Sequence, residues 1–163
     1  MRWTRWTALT ASLAVVAVAA LTLSCATTQQ KTPAPMTQQE KLERGEYLSI
    51  VCGCNDCHTP GTFYGSPDFE RKLSGSELGW SGPWGTSYAR NLTPDAATGI
   101  ASWSEDDIVK TIRTGQRADD SPVLPPMPWP NYARLSDEDA YAIAAYLKSL
   151  PPVEHKMPDK LLP

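Results

Sequence analysis

Histidine is scarce in this chain: only His58 and His155 occur among its 163 residues. Cysteine is nearly as sparse. Beyond Cys25 the remaining three, Cys52, Cys54 and Cys57, crowd into six residues, so no disulfide framework can be built from them. Basic residues are not in excess either. The 15 Lys and Arg stand against 18 Asp and Glu. Setting residues 1–24 aside removes Arg2 and Arg5 and no acid, leaving 13 against 18 and a net charge near −5. That balance gives no support to a basic face for nucleic acid. A mildly acidic surface instead favours partners whose docking faces are basic. The apolar run from Leu9 to Leu23, broken only by Thr and Ser, is short for a membrane span, which needs about 20 residues.

The N-terminus has the anatomy of an export signal. Arg2 and Arg5 precede the apolar run, and Leu21-Thr22-Leu23-Ser24-Cys25 resembles a bacterial lipobox, although Thr22 and Leu23 are not the preferred residues there. Residues 1–24 are therefore expected to be a lipoprotein-type signal peptide. Cys25 would become the lipidated mature N-terminus, with an ordinary cleaved signal or an uncleaved anchor as alternatives. Residues 25–38 are polar, carry Pro33 and Pro35 and show no apolar period, which predicts a flexible tether holding a domain off a membrane.

The stretch that organises the remainder is Cys54-Asn55-Asp56-Cys57-His58. Two cysteines separated by two residues and followed at once by histidine have the spacing for covalent attachment of a c-type haem. On a helical turn Cys54 and Cys57 share a face, so both thiols can form thioethers with the vinyl edges of one porphyrin. His58 is then delivered to the iron. A redox or zinc CxxC preceding a histidine is the competing reading. Cys52 stands apart: it would serve a rarer haem spacing running to Cys57, or act as a small apolar residue or free thiol.

Three helices are expected around this motif. Thr37-Gln38-Gln39-Glu40 is a capping-box pattern opening a helix that carries Leu42, Tyr47, Leu48 and Val51 and runs into the haem motif. Gly45 interrupts it at roughly 1 kcal/mol relative to Ala, which points to a close packing contact, and Thr59-Pro60-Gly61 ends it. Residues 61–102 show neither a 3.6 nor a 2.0 period and read as mostly ordered loop. Their aromatics (Phe63, Tyr64, Phe69, Trp80, Trp84, Tyr88), with Trp103 just beyond, call for burial, either on a macrocycle or on the loop itself. A second helix starts at Ser104, places Ile108 and Ile112 on one face and stops at Gly115. Residues 116–134 form a Pro-rich loop. The last helix begins at Ser136, runs through Ala140, Ile143, Ala144 and Leu147, and stops at Pro151-Pro152. Residues 153–163 are expected to be a peripheral tail.

What fills the iron's second axial side decides its chemistry. The residues available are Met36, Met127, Met157 and His155. Met36 belongs to the tether, and His155 and Met157 follow Pro151-Pro152 with no visible means of being held. Met127 lies in a loop stiffened by Pro125, Pro126, Pro128 and Pro130, which fix backbone torsions before folding and reduce the entropy lost on presenting a thioether. Met127 is therefore favoured as ligand over a role as core filler, with His155 the alternative.

Taken together, Arg44-Gly-Glu-Tyr-Leu48, Gly53 to Pro60, Asn91-Leu-Thr-Pro-Asp95, Trp103 to Ile108, Ile112 to Gly115, Pro126-Met-Pro-Trp129 and Ala145 to Pro151 resemble a monohaem class I cytochrome c. The likeness is greatest to bacterial periplasmic domains found alone or as cytochrome subunits of dehydrogenases. It covers residues 39–152 and implies an all-α fold of about three main helices around one covalent haem c, the first and last helices crossing near Gly45 and Tyr146. It further implies thioethers at Cys54 and Cys57, axial ligands His58 and Met127, attachment outside the cytoplasm, and outer-sphere electron transfer between redox partner proteins rather than catalysis. With one of two histidines so committed, a Ser-His-Asp or Cys-His site is not supported. A peroxidase-like enzyme with an open sixth position, and a haem subunit tethering a dehydrogenase to the membrane, are the rival readings. Cys52 and the long 61–90 loop depart from the family pattern.

Overall fold

The computed structural model describes residues 35–163. The expected signal peptide, Cys25 and the tether up to residue 34 lie outside the described residues.

Three capped helices supply the frame. The first, α1 (Gln38–Val51), opens with a capping box in which Thr37 Oγ1 accepts from the Glu40 amide and the Glu40 carboxylate accepts from the Thr37 amide. It does not continue into the cysteine motif. Gly53, at φ 72°, adopts the left-handed conformation that glycine tolerates best, and the chain restarts as the short helix α2 (Cys54–His58). The next long helix, α3 (Glu105–Thr114), has Ser104 and Asp107 as its capping box and the left-handed Gly115 as its stop. A four-residue turn, α4 (Trp129–Tyr132), precedes α5 (Asp137–Ser149), whose first turn is capped by Ser136. Acidic residues fill the first turns of α3 and α5, where the helix dipole favours them.

The main packing contact is α1 against α5. A Cβ on Gly45 would lie 2.0 Å from the Ala142 carbonyl oxygen and 2.7 Å from Tyr146 Cβ, so the two backbones meet at a point that tolerates only hydrogen. Ala142 keeps α5 slim at this seam, and the other alanines of α5, Ala140, Ala144 and Ala145, are buried as well. Leu48, Ile108, Val109, Ile143 and Leu147 form the core about it. Of the other apolar residues that α1 carries, Leu42 is half-buried, whereas Tyr47 and Val51 are more than half exposed. The Tyr47 ring instead receives the Arg44 guanidinium at 5.7 Å. Lys148 at the far end of α5 donates to the carbonyls of Ile100, Ala101 and Trp103, tying the loop before α3 to the helix.

The 61–102 segment is more regular than its sequence suggests. It contains two 3-10 turns (Thr62–Tyr64 and Phe69–Arg71) and an antiparallel hairpin of β1 (Gly79–Gly82) and β2 (Gly85–Tyr88), in register Trp80↔Ser87. Its short strands carry glycine at three of eight positions, which erases any alternation of apolar residues. The C-terminal tail also departs from expectation. Leu161 pairs with Thr86 through both backbone hydrogen bonds, 2.7 and 2.9 Å, adding a one-residue antiparallel bridge on the edge of β2 away from β1. Met157 is 4 % exposed. The tail is part of the fold rather than an appendage. No helix among the described residues is long and apolar enough to cross a membrane.

The α1–α5 seam makes a direct prediction. Gly45→Ala should cost more than about 3 kcal/mol of unfolding free energy in chemical denaturation, because the helices must separate to admit a methyl group. Gly65→Ala, at a left-handed residue with open space around it, should cost only the backbone term of ~1–2 kcal/mol.

Candidate functional site

Helices α2, α3, α4 and α5 and the loops between them line a cavity of about 680 Å³, within the roughly 300–1,000 Å³ usual for cofactor sites. Cys54, Cys57 and His58 line it from α2, and Met127 lines it from the Pro-rich loop. The sequence places Cys57 and Met127 seventy residues apart; the fold brings all four onto one wall system. Ile108 and Ile112 of α3 with Ile143 and Leu147 of α5 supply its apolar back. Phe63, Trp80, Tyr88 and Trp103 reach it from the aromatic segment, with Phe63 and Trp80 in edge-to-face contact at 5.1 Å. Tyr64 and Phe69 do not line it and are exposed.

His58 is gripped twice. The Gly75 amide donates to its backbone carbonyl at 2.8 Å, and its ring Nδ1 lies 2.7 Å from the Arg90 carbonyl oxygen. A carbonyl can only accept, so Nδ1 carries the proton and Nε2 keeps a free lone pair, the form in which imidazole binds a metal. Burial holds the imidazole pKa below its ordinary value; the Arg90 carbonyl opposes that shift and the positive charge of Arg117 adds to it. The ring is thus kept neutral. All three described cysteines are free. Burial pushes the Cys54 thiol up to about 12, with Cys52 nearby adding to the effect, so it is no thiolate nucleophile at neutral pH.

Met127 is held through its flanks. On one side the Val123 amide donates to the Gly115 carbonyl at 2.8 Å; on the other the Trp129 indole packs over Gly115, where a Cβ would sit 2.6 Å from its Nε1. Ser87 Oγ donates to the Pro125 carbonyl, joining the hairpin to the same loop. Tyr132 on α4 donates to the Cys52 carbonyl at 2.6 Å, which links the Met127 side of the cavity to the start of the cysteine motif. Cys52 also reaches the wall, half-buried, but precedes the Gly53 break and so lies outside the helical turn carrying Cys54 and Cys57. His155 and Met157 do not line the cavity, and neither does Met36. Contrary to expectation His155 is firmly held. Its Nδ1 lies 3.1 Å from Ser74 Oγ, and its Nε2 lies 2.7 Å from Glu77 and 3.1 Å from Arg71.

Three cationic side chains, Arg90, Arg117 and Lys160, also line the cavity. Arg117 forms no ion pair among the described residues. Burial and the neighbouring Arg90 lower its pKa from the ordinary guanidinium value. A flat apolar group bearing carboxylates fits this arrangement: hydrophobic back, two thiols at one edge, a neutral imidazole, a thioether and unpaired cations. A porphyrin with its propionates has that chemistry. None of Arg90, Arg117 or Tyr132 was identifiable in advance. Arg90 acts through a backbone carbonyl that any residue possesses, and the other two acquire meaning only from what folds against them.

Comparison with known proteins agrees. The family model described as Cytochrome c matches residues 42–151. The cytochrome c subunit of alcohol dehydrogenase (quinone) from Gluconobacter oxydans (strain 621H) is 38% identical over 121 residues, covering 72% of this chain and 24% of its own. The fructose dehydrogenase cytochrome subunit of Gluconobacter japonicus is 34% identical over 139 residues, 85% of this chain and 27% of its own. The gluconate 2-dehydrogenase cytochrome c subunit of Pantoea cypripedii is 37% identical over 123 residues, with coverages of 75% and 26%. The chain spans about a quarter of the length of these relatives. With the cavity, the thiol pair and the neutral imidazole, these matches show that the chain belongs to the cytochrome c family, as a class I domain built for covalent haem and electron transfer.

Proposed function

We propose that this chain is an exported single-haem electron carrier. His58 and Met127 are its axial ligands, and Cys54 and Cys57 carry the two thioethers. The observation that supports this reading best is the shared cavity on whose wall those four residues meet. The single CxxCH motif in the sequence supports one haem per chain. The relatives named above are dehydrogenase cytochrome subunits, which supports a dehydrogenase as electron donor. Arg2, Arg5, the apolar run to Leu23 and the lipobox-like Cys25 support a periplasmic protein anchored by lipid.

The haem supplies a one-electron ferric/ferrous couple. The protein's residues do the rest. Arg90 fixes the His58 tautomer so that Nε2 faces the cavity as a lone pair, while the doubly anchored loop offers the Met127 sulfur without a large ordering cost. His58 and Met127 would together hold the iron against small ligands, and the isoleucines of α3 and α5 would exclude water. Arg117, Arg90 and Lys160 balance the acid groups of the macrocycle. The lining residues would bury the macrocycle and fix its ligands, which supports transfer of electrons through a haem edge.

Replacing the sulfur ligand tests the assignment. Met127→Ala should retain covalent haem, lower the reduction potential by on the order of 100 mV and open the iron to carbon monoxide and cyanide. Unchanged potential and ligand binding in that variant would refute Met127 as ligand. The thioether assignment is tested by intact mass. Cys52→Ala should keep haem attached through two bonds, whereas Cys54→Ala should leave a haem held by Cys57 alone or none.

A further inference from the structure

The two groups that hold His58 have little secondary structure of their own. Gly75 lies between a 3-10 turn and β1, and Arg90 lies two residues beyond β2. The Ser76 amide donates to the Ala89 carbonyl at 3.1 Å and joins the two segments. The Leu92 amide donates to the Leu73 carbonyl at 2.9 Å and the Leu73 amide to Thr59 Oγ1 at 3.0 Å, and beyond these bonds the C-terminal tail holds each segment. The His155 ring sits on Ser74 and Glu77 to either side of Gly75. Met157 is buried against Gly75 itself, where a Cβ would lie 2.9 Å from both the Met157 sulfur and the Ala89 carbonyl. Arg90 donates from its guanidinium to the Pro158 carbonyl at 3.1 Å, and the next residue, Asn91, donates to the Val153 carbonyl at 2.7 Å. Leu161 pairs with Thr86 in β2, four residues before Arg90. The tail therefore touches both segments that grip the imidazole, on both sides of each grip.

We propose that residues 153–161 form a positioning strap for the His58 imidazole. His155 and Leu161 act through Gly75 and Arg90 to keep the Nδ1–H···O=C bond short and the ring orientation fixed. This rests on His58 being the iron ligand proposed above. A carbonyl held against Nδ1–H makes the imidazole a more basic ligand and fixes which nitrogen faces the metal. A basic ligand favours the ferric state, so a slack strap should make the haem easier to reduce. The strap is thereby a determinant of reduction potential that lies outside the cavity.

The test uses the full haem-loaded protein, His155→Ala, and a chain lacking residues 161–163. The last removes the Thr86 pairing outright yet opens no core, since Leu161 and Leu162 are each 62 % exposed. Solvent exchange of the His58 Nδ1 proton and of the Gly75 amide is followed by NMR, alongside the reduction potential. Each variant should exchange both protons about tenfold faster or more and show a raised potential, with haem mass and helical content unchanged. Variants whose Nδ1 proton and potential match the parent would overturn the strap, even if their melting temperature falls. A parent protein whose spectrum shows no low-spin, histidine-ligated haem would instead overturn the site reading on which the strap rests.

Discussion

The close approach of α1 and α5 at Gly45 is the constraint on which the arrangement depends. Two backbones come within reach of a single hydrogen atom there, and that proximity fixes where α1 ends and where α5 faces inward. The end of α1 delivers Cys52, Gly53 and the turn of Cys54 to His58. The inner face of α5 provides Ile143 and Leu147. Were the helices farther apart, the thiols and the apolar back would face different spaces. The ion pairs across the same region, Arg44 with Asp139 and Lys41 with Glu105, are partly exposed and add little beside the packing.

The cavity that results is a core left for another molecule to complete. Residues that would close a hydrophobic core in a protein of this size line it instead, and the polar groups among them are those a haem uses: thiols, an imidazole with a defined tautomer, a thioether and unpaired cations. Binding energy and folding energy are consequently one quantity. Whatever fills the space stabilises the native state alone, and covalent attachment makes that stabilisation permanent. The hairpin and the tail close the proximal side through Arg90, and the Pro-rich loop closes the other through Gly115. Each wall is thus held by segments distant in sequence.

How much of this was legible follows from how local each signal is. Thr37, Ser104 and Ser136 mark helix starts because a cap is satisfied within three residues, and Gly115 marks a stop because its left-handed backbone is a property of one residue. The CxxCH motif is local in the same sense. Gly53 carried a readable signal for a helix break between α1 and α2, and reading the helix straight into the motif overlooked it. The hairpin and the tail had no such signal. Gly79, Gly82 and Gly85 deprive the strands of side-chain alternation. The contacts of Val153, His155 and Leu161 reach backbone and hydroxyl groups some sixty to eighty residues away. Proline at 151 and 152 truly ends α5, but a helix end says nothing about whether the chain beyond it packs. Tyr47 and Val51 show that an apolar residue on a helix carries no local mark of whether the fold will bury it: both are more than half exposed.

Intact mass together with the visible spectrum of the mature protein, recovered from the envelope of its own cells, tests the central claim most directly. The expected result is one haem per chain joined by two thioethers, lipid on Cys25, and a low-spin ferric spectrum with the weak long-wavelength band of sulfur ligation. A colourless protein of bare polypeptide mass would contradict the account entirely, and a high-spin haem would contradict the pairing of His58 with Met127.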